Sequence, residues 1–172
     1  MVKLNMGCGR DIKVGYVNMD SAKLAGVDII HDLDKFPWPF KDNYFEEVFA
    51  SHVLEHLNDK IKPLEEIYRV CKNNAKVIIK VPIFPGTYAV CDPTHKQFFN
   101  YSTFDYFRPN NQGLNYYSKA KFEIIKRKII FHPALKPMEA INISSFTQKF
   151  WAAFLSFILP AVILEVELRV IK

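Results

Sequence analysis

Cysteine is scarce in this sequence, with three residues, Cys8, Cys71 and Cys91, among 172. Odd in number and lacking a C-x-x-C pair, they argue against a disulfide framework or a zinc ribbon, and a reducing cytoplasm is the expected setting. Little at the start suggests export, which is not expected: Met1-Val2-Lys3-Leu4-Asn5 enters a glycine turn without the apolar run and cleavage site of a secretory signal. Dense basic blocks are absent. The net charge of +5 comes with scattered lysines, so nucleic acid is not indicated as a partner. No apolar run reaches the roughly 20 residues that span a bilayer. The nearest approach, Phe150 to Leu164, is shorter and interrupted by Pro160. It reads as a buried or interfacial helix leading into a final strand, with membrane contact through 150–164 the less favoured alternative.

What is there is 49% apolar residues, enough for the core of one domain, so a single domain over 1–172 is expected. Val2 to Met6 is short, apolar and followed at once by Gly7-Cys8-Gly9, the pattern of a buried strand running into a tight turn. Tyr16 to Met19 reads as a second strand ending at Asp20, Val27 to His31 as a third ending at Asp32, and Glu47 to Ala50 as a fourth ending at Ser51-His52. From about Lys62 to Cys71 the apolar positions Leu64, Ile67, Tyr68 and Cys71 recur at helical spacing, with Asn73-Asn74 as the stop. Lys76 to Val81, dense in Val and Ile and closed by Pro82, suits a strand buried on both faces. Phe122 to Phe131 and Ile163 to Ile171 are expected as closing strands. Strands alternating with connectors and helices give an α/β fold whose sheet is largely parallel, and ligands of such sheets bind beyond the carboxyl ends of the strands.

The polar residues at those ends are Asp20, Asp32, Ser51 and His52. Gly7-x-Gly9 after a strand lets the backbone approach a ligand closely, although an ordinary tight turn uses the same residues. Asp20 can accept both hydroxyls of a ribose through charge-assisted bonds, and Asp32 the exocyclic amine of an adenine. Strand-terminal Asp also forms turns without any ligand. Together the three features favour a nucleoside pocket.

Leu4-Asn5-Met6-Gly7-Cys8-Gly9, Gly15-Tyr16-Val17-Asn18-Met19-Asp20, His31-Asp32-Leu33, Trp38-Pro39-Phe40 and Asp42-Asn43-Tyr44-Phe45 resemble the class I S-adenosylmethionine-dependent methyltransferases. Val53-Leu54-Glu55-His56-Leu57, Glu66-Ile67-Tyr68-Arg69-Val70 and Val81-Pro82 continue the likeness across the first half of the chain. Asp92-Pro93-Thr94-His95-Lys96 with Phe98-Phe99 looks like a pattern of compact members. The resemblance implies a Rossmann-like, mostly parallel sheet with helices on both faces and a C-terminal antiparallel strand, with S-adenosylmethionine as cofactor. It implies Gly7 and Gly9 against the methionine part, Asp20 on the ribose, Asp32 and Leu33 on the adenine, and Ser51 and His52 near the reacting methyl. About ten residues separate Gly9 from Asp20, so the first helix is expected to be reduced to one turn or absent. With no third glycine either, a nicotinamide dehydrogenase is disfavoured, because a pyrophosphate wants that helix N-terminus. The chain opens at the first strand, so the substrate-binding helices that precede it in many relatives are not expected.

Two rivals stand beside this reading. His52-Val53-Leu54-Glu55-His56 fits H-x-x-E-H, in which two histidines on one helix face hold zinc and the Glu is the base; it is the less favoured, and no metal site is expected. A non-catalytic binding module on the same fold is the other. If the acceptor is a hydroxyl its proton must be removed, and His95 is the candidate base, since an imidazole titrates near ~6.5. His95 ordering its loop through a backbone bond is the equal alternative. Residues 84–120, rich in aromatics, are expected to form a lid, whose rings either contact an aromatic or lipid-like acceptor or, more commonly, pack as core. The acceptor, small molecule or macromolecule, is not specified.

Overall fold

The computed structural model describes residues 1–110 and 116–172. Seven strands, β1 (Lys3–Met6), β2 (Val17–Asp20), β3 (Ile29–Ile30), β4 (Phe45–Ser51), β5 (Cys71–Pro82), β6 (Phe122–Ile130) and β7 (Ile163–Val170), form one sheet in the order β3-β2-β1-β4-β5-β7-β6. The first five pair in parallel, and β7 runs antiparallel to both β5 and β6. This is the expected Rossmann-like sheet with its C-terminal antiparallel strand. Val77, Ile79 and Val81 of β5 are fully buried, as a central strand requires.

The helix α1 (Ile61–Val70) buries Pro63, Leu64, Ile67 and Val70 along one stripe. Asp59 starts it by accepting from the N–H groups of Ile61 and Lys62 at 2.6 and 3.0 Å. Its end differs from the sequence reading. Cys71 already belongs to β5, so Asn73-Asn74 lie inside that strand and do not stop the helix. They form an irregularity: Phe45 pairs with Cys71 but Glu47 with Lys76, and Asn74 takes φ 63° where the strand loops out.

Helices on both faces are only partly realised. No helix joins β1 to β2, β2 to β3 or β3 to β4, so the shortened first connection carries none at all. A buried amide network does the holding instead. Asn5 Nδ2 donates to Asn18 Oδ1 (2.9 Å) and to the Asp11 carbonyl (2.7 Å), Lys13 N–H donates to the same Oδ1, and Asn18 N–H reaches Asp28 Oδ2 at 2.7 Å. Groups that a helix would have satisfied find side chains, which is why two asparagines sit almost wholly buried in β1 and β2.

Arg69 on α1 clamps the 38–42 segment. It donates to the carbonyls of Trp38 (3.1 Å) and Phe40 (2.8 Å) and to Asp42 (2.7 Å), while Glu66 accepts from the Trp38 N–H at 2.7 Å. Hydrogen bonds to Glu66 hold its guanidinium above its ordinary pKa.

The apolar stretch 150–164 divides between the end of α3 (Ser145–Phe150), a π-helical turn (Trp151–Leu155) and the start of β7. Trp151 is buried, whereas Phe154, Phe157 and Ile158 face outward. Among the described residues no helix is long and apolar enough to cross a membrane. α2 (Thr87–Val90) is a single turn in the segment after β5.

Candidate active site

The register builds the site. Met6 pairs with Met19 on one side and Ala50 on the other, so the next residues, Gly7, Asp20 and Ser51, stand abreast at the carboxyl edge of the sheet. His31 and Asp32 follow β3 on the same edge, because Asp20 pairs with Ile30.

The two glycines there do different things. Gly7 has φ 60°, and a Cβ on it would lie 2.2 Å from a methyl of Val53, so packing alone demands glycine. Gly9 has φ 49° and a Cβ would meet nothing within 4 Å: its face is open. The Gly9 N–H donates to Asp20 Oδ2 at 2.8 Å, and the Ala22 N–H to Oδ1 at 2.9 Å. Each carboxylate oxygen keeps a lone pair for a further donor. Burial, then the charge of Asp20, pushes the neighbouring Cys8 thiol up.

Asp32 is exposed and accepts from the Asp34 N–H at 3.1 Å, with Lys35 Nζ 3.9 Å away. Leu33 is buried, and its carbonyl accepts from the Trp38 indole at 3.2 Å. Ser51 pairs with Lys80, and His52, at φ 55°, donates its N–H to the Lys80 carbonyl at 2.9 Å.

Beyond His52 the chain makes one 3-10 turn, Leu54–His56. Val53 at φ −131°, ψ −41° is not helical, so His52 and His56 do not share a helix face and the H-x-x-E-H arrangement is not formed. Nδ1 of His52 lies 3.2 Å from Glu55 Oε1 instead. Glu55 is buried, and its Oε2 has no hydrogen-bond partner among the described residues.

His95 approaches from the segment after β5. Its Nδ1 lies 3.1 Å from the Ala89 carbonyl, its ring packs edge-on against His56 at 4.8 Å, and its side chain is 8% exposed. The Lys96 and Gln97 N–H groups bind the Glu55 carbonyl at 2.8 and 3.0 Å, which docks this segment on the turn after β4. The sequence set Glu55 and His56 only in the disfavoured H-x-x-E-H pattern with His52 and gave Thr94 no role; a buried acid beside His56 and His95 is visible only once β4 and the later segment meet.

The expected lid over 84–120 includes residues 111–115, which lie outside the described residues. Of its aromatics, Phe99, Tyr101, Phe104 and Phe107 are core, while Phe84, Tyr88 and Phe98 are exposed. A cavity of about 750 Å³ lies between Asn58, Lys60, Gln97, Thr103 and Phe107. A second, of about 460 Å³, opens between Ile83, Phe84, Tyr101, Trp151 and Phe157, beside the carboxyl end of β5.

Residues 9–79 match the family model described as "Methyltransferase domain". Over those residues and in its strand order the chain is similar to the class I S-adenosylmethionine-dependent methyltransferases, whose cofactor is S-adenosylmethionine. Among solved structures it is similar to a SAM-dependent methyltransferase from Archaeoglobus fulgidus, at 17% identity and TM-score 0.58, covering 98% of this chain and 85% of that one. It is similar in fold to the [4+2]-cyclase SpnF as well, at 15% identity and TM-score 0.60, covering 98% and 73%. Among curated relatives, the ubiquinone/menaquinone biosynthesis C-methyltransferase UbiE of Legionella pneumophila is 37% identical over 57 residues, 31% of this chain and 23% of that protein. A Methanocaldococcus jannaschii protein is 51% identical over 43 residues, 25% of this chain and 19% of that one. The match thus spans about a fifth of the length of these curated relatives.

Proposed function

We propose that the protein transfers the methyl group of S-adenosylmethionine to an acceptor held beyond the carboxyl edge of the sheet. The observation that carries this reading is the Gly9–Asp20 bond at 2.8 Å beside a glycine face with nothing within 4 Å. The residues fit the cofactor: an open backbone for the methionine part, lone pairs of Asp20 for the ribose hydroxyls, and Asp32 with Leu33 beyond β3 for the adenine. Ser51 and His52 line the edge next to them. The cofactor supplies a methyl already activated by a sulfonium, so the chain's own task is to align the acceptor and take its proton where it has one.

His95 is the proton acceptor in this reading. With Nδ1–H given to the Ala89 carbonyl, Nε2 carries the lone pair. The acceptor is a molecule with an apolar face, a reading supported by the cavity walled by Ile83, Phe84, Trp151 and Phe157 and by the quinone chemistry named for the Legionella relative. A cytoplasmic setting goes with it, all three cysteines being free.

Calorimetric titration tests the cofactor: S-adenosylhomocysteine binds and NAD does not, and preferential binding of NAD overturns the reading. An acceptor screen with labelled methyl donor follows. Binding without transfer to any acceptor would leave a binding module on a methyltransferase fold. Once an acceptor is found, His95→Gln lowers turnover by roughly a hundredfold with unchanged S-adenosylhomocysteine affinity.

A further inference from the structure

The side chains of Glu55, His56 and His95 each offer a ligand atom, and these atoms lie within 4.8 Å of one another. Their hydrogen bonds sort the nitrogens. Thr94 Oγ1 has one proton and gives it to Asp92 Oδ1 at 2.7 Å, so at 3.0 Å it accepts from Nδ1–H of His56. The Ala89 carbonyl can only accept, so Nδ1 of His95 is protonated at 3.1 Å. Both rings therefore hold bare Nε2 lone pairs, with the opposite nitrogen fixed by a protein oxygen, as metal-bound histidines do. The third side chain, Glu55, is 1% exposed, and its Oε2 has no partner among the described residues. A buried carboxylate oxygen left without a donor is costly unless a cation or proton sits on it. Asp92 Oδ2, 3.9 Å from His95 Nε2, adds negative charge at the rim.

We propose that Glu55, His56 and His95 form a binding site for one divalent transition-metal ion of the zinc type. Two imidazoles and a carboxylate are a donor set that zinc takes with an open position left over. Metal–ligand bonds of about 2.1 Å place donors about 3.0–3.4 Å apart, so loading draws the three side chains together by about an ångström. The site stands where the chain leaves β4, with His52 bonded to the far oxygen of Glu55, next to the edge assigned to the cofactor. An oxygen-bearing acceptor can fill the open position. With the ion seated His95 is a ligand, and lowering the acceptor's pKa falls to the metal. The ion-binding claim itself is independent of the methyl-donor reading.

Zinc titration of the EDTA-stripped, desalted protein against a chromophoric chelator tests it, with circular dichroism as the folding check. One equivalent binds to wild type and to His31→Gln. Glu55→Gln, His56→Gln and His95→Gln each bind at least roughly tenfold more weakly, and Thr94→Ala, which keeps all three ligands but releases His56 Nδ1, weakens binding by about ten- to a hundredfold. Should a ligand variant fail to fold, Thr94→Ala and Co²⁺ spectroscopy of wild type decide, since a loaded site gives the ligand-field absorption of nitrogen and oxygen donors. Failure of wild type to take up an equivalent, or equal affinity in the folded variants, overturns the proposal.

Discussion

The Gly9 N–H donates to Asp20 Oδ2 at 2.8 Å, so the carboxylate facing the cleft also fixes the shape of the glycine turn. Asp20→Ala removes a charged acceptor from both the turn and the ribose, a loss of roughly 1.5–3 kcal/mol, or about ten- to a hundredfold in affinity. Titration with S-adenosylhomocysteine reads it. A folded Asp20→Ala protein that binds as wild type does takes the ribose role away from this residue.

The two glycines of the turn are separable by substitution. Gly7→Ala meets Val53 at 2.2 Å in addition to its positive φ, so the melting temperature falls by roughly 5–15 °C, and Val53→Ala in the same chain restores part of it. Gly9→Ala meets open space and incurs only the left-handed strain, about 1–2 kcal/mol. If that open face carries the cofactor, the added methyl lowers S-adenosylhomocysteine affinity by about tenfold or more, equivalent to about 1.4 kcal/mol. Unchanged affinity in Gly9→Ala would mean that the open face does not touch the cofactor.

The sheet was legible because its strands end on chemistry: Gly7, Asp20, Asp32 and Ser51 each follow an apolar run, and parallel register brings Gly7, Asp20 and Ser51 side by side. What held the missing first helix's place was not read, although Asn5 and Asn18 interrupt those apolar runs and a buried amide needs partners. The end of α1 was misplaced because Cys71 continues the helical spacing, while pairing with Phe45 takes it into the sheet. Glu55, His56 and His95 lie some 40 positions apart at the extremes, a separation over which periodicity carries no information.

Arg69 holds the Trp38–Asp42 segment through two carbonyls and a carboxylate, while Glu66 holds it through an N–H. Arg69→Ala leaves those acceptors and Glu66 without their cation, and a loss of about 2–4 kcal/mol is expected, lowering the melting temperature by roughly 5–15 °C. Arg69→Lys recovers little, because an ammonium cannot span the same fork of acceptors. Thermal unfolding followed by circular dichroism checks both. Equal stability of Arg69→Ala and wild type would show that the clamp is ornamental.

The cysteines give a test that needs neither cofactor nor acceptor. Burial pushes the Cys71 thiol up from 9.0 to about 12, whereas Cys91 is exposed. Thiolate is the reactive form, so at pH 8 a native chain yields one rapid equivalent to a chromogenic disulfide reagent, from Cys91, and three once denatured. The same shift carries a stability consequence. Between pH 9 and about 12 the unfolded chain has released the Cys71 proton and the folded chain has kept it, so the unfolded state binds fewer protons and stability falls as pH rises through that window. Cys71→Ala loses some packing at every pH but lacks this slope. The stability difference between wild type and Cys71→Ala, measured by urea unfolding, therefore shrinks from pH 8 to pH 11; a constant difference would show that Cys71 ionises alike in both states.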